Sequence, residues 1–125
     1  MTGQQQAIFE TENGRIVVDI TVADSDAERQ VGLMNVESLD PQKGMWFVFE
    51  QSARHSFWMK NTLIPLDIVF IDSNMQVVDI IRADPCTSDP CKTYTPDASA
   101  QFVLEVYQNF TQETGVKVGN KVKVR

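Results

Sequence analysis

The feature that most limits how this chain can fold is a succession of short apolar runs, each cut off by turn-forming residues. "RIVVDITV" (Arg15 to Val22), "GMWFVF" (Gly44 to Phe49), "SFWMK", "LDIVFID", "MQVVDII" and "AQFVLEVY" follow one another along the chain. Each is too short for a stable helix and rich in the β-branched and aromatic residues that suit a pleated surface. Ser73-Asn74 reads as a tight hairpin turn between "IVFID" and "MQVVDII". Pro65 cannot donate to a sheet ladder, so it marks a turn or an edge within "NTLIP". In "SDAERQVGL", Ser25 can cap a short helix, Glu28 can close a capping box and Gly32 can stop it. "NFTQETG" reads as one or two helical turns ended by Gly115, and "VKVGNKVKV" as two short strands about Gly119-Asn120. Together these predict a mainly β fold, a compact β-sandwich or barrel-like sheet with one or two short helices. Its central strands are expected at Gly44 to Phe49, Phe57 to Lys60, Leu66 to Asp72 and Val77 to Ile81.

A chain of 125 residues suits one domain. That domain is expected over residues 15–125, with residues 1–14, which open "MTGQQQ", as a polar tail that was added or truncated. The net charge of −6 argues against nucleic acid as a partner, because phosphate binding needs a basic surface. The basic residues of the final "VKVGNKVKVR" alternate with valine, as on the wet face of a strand. No apolar run approaches the roughly 20 residues that span a bilayer. The sequence shows no secretory leader, although removal of one would leave the same residues.

Cys86 and Cys91 sit in "ADPCTSDPCKTYTP", a loop of Pro, Asp, Ser and Thr that can fold back on itself. A disulfide is sterically reasonable there. The rival is half of a zinc site, which needs two further ligands where the chain offers one histidine and no third cysteine. An oxidised pair implies a periplasmic or secreted protein.

The segment Arg54 to Asp72, "RHSFWMKNTLIPLDIVFID", carries His55, Lys60, Asn61, Thr62 and Asp67 inside an otherwise apolar run. Alternation puts Asp67 on one face with Val69 and Ile71, and both faces look buried. A carboxylate there needs donors. Backbone groups of the "KNTLIP" turn, Lys60, Asn61, Thr62 and, from the short helix, Arg29 are the candidates. Such a cluster is either a structural pin for the turn or part of a site. Trp46 and Trp58 can share a face near Lys60, Asn61 and Asp67, and rings beside polar groups are what a sugar site uses; core margins look the same. His55 has no nucleophile and carboxylate in a triad-like pattern, and there is no G-x-S-x-G, HExxH or Gly-rich phosphate loop. No catalytic set, metal site or cofactor is therefore assigned.

"ERQVGLM" (Glu28 to Met34), "GMWFVF", "FWMKNTLIPLDIVFID" (Phe57 to Asp72), "ADPCTSDPC", "FVLEV" and "GVKVGNKV" fall in an order that resembles the domain of unknown function 192 family, over nearly everything from Ile16 onward. The resemblance implies a compact, mostly β prokaryotic domain that often follows a secretion signal, and implies no reaction. The expected function is an extracytoplasmic binding module for a small, carbohydrate-like ligand. Two alternatives are an enzyme using Asp67 as acid or base and a structural or protein-interaction domain.

Overall fold

The computed structural model describes residues 5–125. Nine strands and two short helices follow in the order β1 (Gln6–Thr11), β2 (Gly14–Ala23), α1 (Asp26–Val31), β3 (Lys43–Ala53), β4 (Phe57–Trp58), β5 (Leu66–Ile71), β6 (Val77–Ala83), β7 (Thr93–Tyr94), β8 (Ala100–Tyr107), α2 (Phe110–Thr114) and β9 (Lys121–Val124). Seven strands form one sheet in the order β6-β5-β8-β3-β2-β1-β9, and β4 pairs with β7 in a separate two-stranded ribbon. The sheet curls until its outermost strands approach: Gln76 bridges Lys121, the Val122 N–H donates to the Met75 carbonyl at 2.9 Å, and the Val77 N–H donates to the Asn120 carbonyl at 2.9 Å. The mainly β expectation is borne out, as a curled half-barrel.

The curl encloses one core. Ala7, Phe9, Val18, Ile20, Trp46, Val69, Ile71, Leu104, Val106 and Val122 meet inside it, with Phe110 of α2 closing the space. A second core lies on the opposite face of the central strands. There Phe47, Leu66, Ile68, Phe70, Ala83 and Val103 are covered by Leu33 and Met59 from the connections. Every residue of β5 is buried, because β5 has a core on each side.

The connections explain how that second face is covered. β2 and β3 are parallel, unlike the other neighbours in the sheet, and a parallel pair requires a crossover. Residues 24–42 supply it, with α1 at its start. Ser25 caps α1, accepting from the Glu28 N–H at 3.1 Å, and Glu28 Oε1 accepts from the Ser25 N–H at 3.1 Å. Gly32 ends the helix at φ 49, and a Cβ there would sit 3.3 Å from the Phe47 ring, so both backbone and space favour glycine. The β3–β5 and β6–β8 connections contribute β4 and β7, which pair over the same face.

Four expectations are corrected. Residues 6–11, placed in the N-terminal tail, form β1, whose Ala7, Ile8 and Phe9 are buried, and Gly14 already begins β2; residues 1–4 of the supposed tail lie outside the described residues. Phe57 to Lys60 is not a central strand. β3 and β5 already have partners on both sides, and the chain turns at Asn61, which adopts φ 57. Val77 to Ile81 falls in β6, an outermost strand rather than a central one. Around Gly119-Asn120 there is one strand, β9, because residues 116–120 are used in the turn that meets Val77.

Candidate functional site

Between the crossover and the β4–β7 ribbon lies a cavity of about 400 Å³. Its floor is the sheet, with Phe47 from β3 and Glu105 from β8. Arg29, Gly32, Leu33 and Met34 line it on the crossover side, and Ser56, Phe57, Trp58, Thr62 and Thr93 on the ribbon side, with Phe49 at one end. Phe57 meets Phe47 and Phe49 edge-to-face at 5.3 and 6.0 Å, which fixes the aromatic wall. The two walls are joined by a hydrogen bond from the Asn35 N–H to the Asn61 carbonyl at 2.8 Å.

Glu105 is the chemically unusual group. It pairs across the sheet with Met45 on β3 and Ile68 on β5, and it shares a face with the buried Val103 two residues before it, so its side chain stands on the second core's face among apolar neighbours. It is 5 % exposed, and among the described residues no hydrogen bond or ion pair reaches its carboxyl. Burial pushes its pKa up to about 8. At neutral pH it is mainly a carboxylic acid, able to donate as well as accept. Arg29 reaches the same cavity but is committed elsewhere: it donates to the Val48 carbonyl at 2.6 Å and to Asp26 at 2.7 Å, and lies over the Phe49 ring at 5.4 Å.

The residues singled out from the sequence separate into three places. Trp58, Thr62 and Arg29 line the cavity. Trp46 lies in the enclosed core, stacked on Phe102 at 5.6 Å, so the two tryptophans do not form a platform. Lys60 stands outside the cavity, over the Trp58 ring at 5.5 Å and 3.7 Å from Asp89. Asn61 is exposed at the turn. Asp67 faces the enclosed core as the alternation implied, but its donors are not in the "KNTLIP" turn. Its Oδ2 accepts from the Thr111 N–H at 3.0 Å and the Thr111 hydroxyl at 2.8 Å. Asp67 thus supplies the cap that α2 lacks locally, since Asn109 makes no side-chain capping bond. The turn satisfies itself instead, with the Thr62 N–H donating to the Met59 carbonyl at 3.1 Å.

Cys86 and Cys91 are joined in a disulfide. Their sulfurs lie close to the Asp89 carboxylate, but a disulfide has no thiolate to offer a metal. A smaller hollow of about 230 Å³ lies between this loop, Met59 and Tyr94. His55 stacks on Phe49 with ring centroids 3.8 Å apart, behind the cavity wall.

The sequence reasoning missed Glu105. The signal was present: "FVLEVY" places one carboxyl within a strand whose neighbours are apolar on both faces. It looked like an ordinary strand because the local donors that drew notice to Asp67 are missing around Glu105.

The fold and cavity define a class: a small curled-sheet β domain whose crossover and side ribbon enclose an aromatic-walled cavity on its outer face. The chain belongs to the DUF192 family (Uncharacterized ACR, COG1430), whose model matches residues 8–124. A UPF0127 protein of Pyrococcus horikoshii is 29% identical over 110 residues, spanning 84% of this chain and 86% of its own. One from Pyrococcus abyssi is 28% identical over 109 residues, spanning 83% and 84%. Among solved structures, a protein of unknown function from Novosphingobium aromaticivorans superposes with a TM-score of 0.87 at 30% identity, covering 94% of this chain and 83% of its own. A candidate transcription regulator from Sinorhizobium meliloti gives 0.88 at 27% identity, covering 98% and 94%.

Proposed function

We propose that the protein is an extracytoplasmic small-molecule binding module whose ligand occupies the Glu105 cavity. The observation that carries this reading is an unpaired, buried carboxyl opening into an aromatic-walled space. The volume falls within the roughly 300–1,000 Å³ of small-ligand sites, and an apolar wall with few convergent polar groups is their usual lining. A carboxyl without a partner is costly to keep in a core, and a ligand that hydrogen-bonds to it offsets that cost. The carbohydrate expectation rested on Trp46 and Trp58 acting together with Lys60, Asn61 and Asp67. With only Trp58 of that set at the cavity, the reading keeps a binding module and leaves the ligand class to be argued from Glu105. The disulfide supports a place outside the cytoplasm.

The test is an amide NMR titration with a library of small molecules. Binders should shift residues 29–34, 56–58, 62, 93 and 105. Binders that map to the hollow beside Cys86 instead, or no binder at all to a folded protein, overturn the assignment. The location is checked by alkylating native protein without reduction, where two alkylated cysteines would count against it.

A further inference from the structure

We propose that the Glu105 cavity takes a small organic cation, a primary amine carried on an apolar or aromatic body, with its ammonium group held between the Glu105 carboxylate and the surrounding rings. This rests on the cavity being a binding site and adds the charge and chemistry of what binds there.

The charges around the cavity support a cation. Three ionisable side chains line it: Asp26, Arg29 and Glu105. Asp26 and Arg29 pair with each other at 2.7 Å, and Arg29 also donates to the Val48 carbonyl, so this pair is neutral as a unit. Glu105 is left without a counter-ion among the described residues. Its surroundings offer none: Met45 and Phe47 on β3, Ile68 on β5, Leu33 beyond α1, Phe57 and Trp58 on β4, Thr62 in the turn and Thr93 on β7 are all uncharged. His55 lies behind the Phe49 ring, and Lys60 lies outside with Asp89. An ammonium group brought by a ligand is the missing partner, and it carries the N–H donors that an ionised carboxylate needs.

The walls suit the same charge. Phe47, Phe49, Phe57 and Trp58 line the cavity, and aromatic faces attract cations. Two of these rings already carry cations, Arg29 over Phe49 at 5.4 Å and Lys60 over Trp58 at 5.5 Å. An anionic ligand would meet the opposite: a carboxyl at the floor, aromatic rings around it, and an arginine already engaged with Asp26 and Val48.

Proton linkage follows. Burial raises the Glu105 pKa to about 8, so at neutral pH the empty site holds a proton that an incoming ammonium must expel. Affinity for the cation therefore rises with pH, roughly tenfold per unit up to about pH 8, and then levels off. A neutral ligand that accepts a hydrogen bond from the acid form would show no such rise and would weaken above about pH 8.

The test uses benzylamine as the probe, benzyl alcohol as its neutral counterpart, and methyl glucoside and benzoate as further arms. Each is titrated into the intact chain by amide NMR at about pH 6, 7 and 8. Benzylamine should shift residues 29–34, 56–58 and 105, bind at least about tenfold more tightly than benzyl alcohol at pH 8, and tighten with pH as stated. Glu105→Gln should remove both the preference and the pH slope. If benzyl alcohol or methyl glucoside binds in the cavity as well as benzylamine, or benzoate binds better, the cation inference is overturned and the cavity remains a binding site. If no probe shifts these residues, both readings fall. The wild-type comparison of charged and neutral probes decides the matter even should the Glu105→Gln chain fold poorly.

Discussion

Two buried carboxyls differ in what satisfies them, and this difference separates a structural residue from a candidate functional one. Asp67 is held through its Oδ2 by the backbone and hydroxyl of Thr111, while its Oδ1 has no partner among the described residues, and so it ties β5 to α2 through one oxygen. Asp67→Asn keeps the shape but loses a charged acceptor, and should cost about 1–3 kcal/mol by urea denaturation. Thr111→Val removes only the hydroxyl donor and should cost less, with the two changes non-additive because they share one contact. Additive losses would mean that Asp67 acts elsewhere. Glu105 has no such partner, and its folded pKa is raised above the unfolded value by burial alone. Its contribution to stability is therefore fully present below about pH 4.5, and is lost as pH rises toward about 8, above which the loss is complete. Glu105→Gln should cancel this slope, so the variant gains on the wild type as pH increases from about 5 to 8. Denaturation midpoints at four pH values would show it, and a constant difference would mean that Glu105 ionises normally. The face assignment of Asp67 was readable from alternation, whereas its donors were not, because Thr111 lies 44 residues away in sequence.

At the scale of elements, what the sequence revealed depended on how local the determining contacts are. α1 was legible because its cap, box and stop are all within a few residues of one another, as are α2's stop at Gly115 and the Asp72-centred turn that follows β5. β1 and β4 were misjudged because pairing decides them. The polar residues of β1 hide a buried Ala7-Ile8-Phe9 whose partners are β2 and β9, and "SFWMK" looks like a strand although no place in the main sheet is open to it. Pairing also fixes Gly44. A Cβ there would lie 2.8 Å from the Glu105 carbonyl oxygen and 2.9 Å from Val106, so Gly44→Ala forces β3 away from β8. The expected cost is about 1–3 kcal/mol, seen as a lower denaturation midpoint. The Cys86–Cys91 ring works on the ribbon in a different way. It closes a short loop, adding about 2 kcal/mol in the chain-entropy account, and the Cys86 N–H points to the Met59 carbonyl beneath β4.

For the whole molecule, the two cores imply two levels of stability. The enclosed core draws on seven strands and is closed by the Gln76–Lys121 bridge, so opening it means unfolding the sheet. The outer core is covered by α1, the two-stranded β4–β7 ribbon and the turn at Asn61, elements with few hydrogen bonds to the sheet itself. They can lift while the sheet stays intact, and a ligand reaching Glu105 has to pass between them. Amide hydrogen exchange should therefore be slowest in β5 and β8, which have neighbours on both sides and buried residues on both faces, and much faster in residues 26–35, 56–64 and 92–95. Reducing the disulfide should accelerate exchange in 56–64 and 92–95 but leave β5 and β8 unchanged, because the ring holds the ribbon and not the sheet. Uniform slow exchange across both groups would show a single cooperative unit, and would mean that Glu105 is sealed in the core rather than poised beneath a cover that opens.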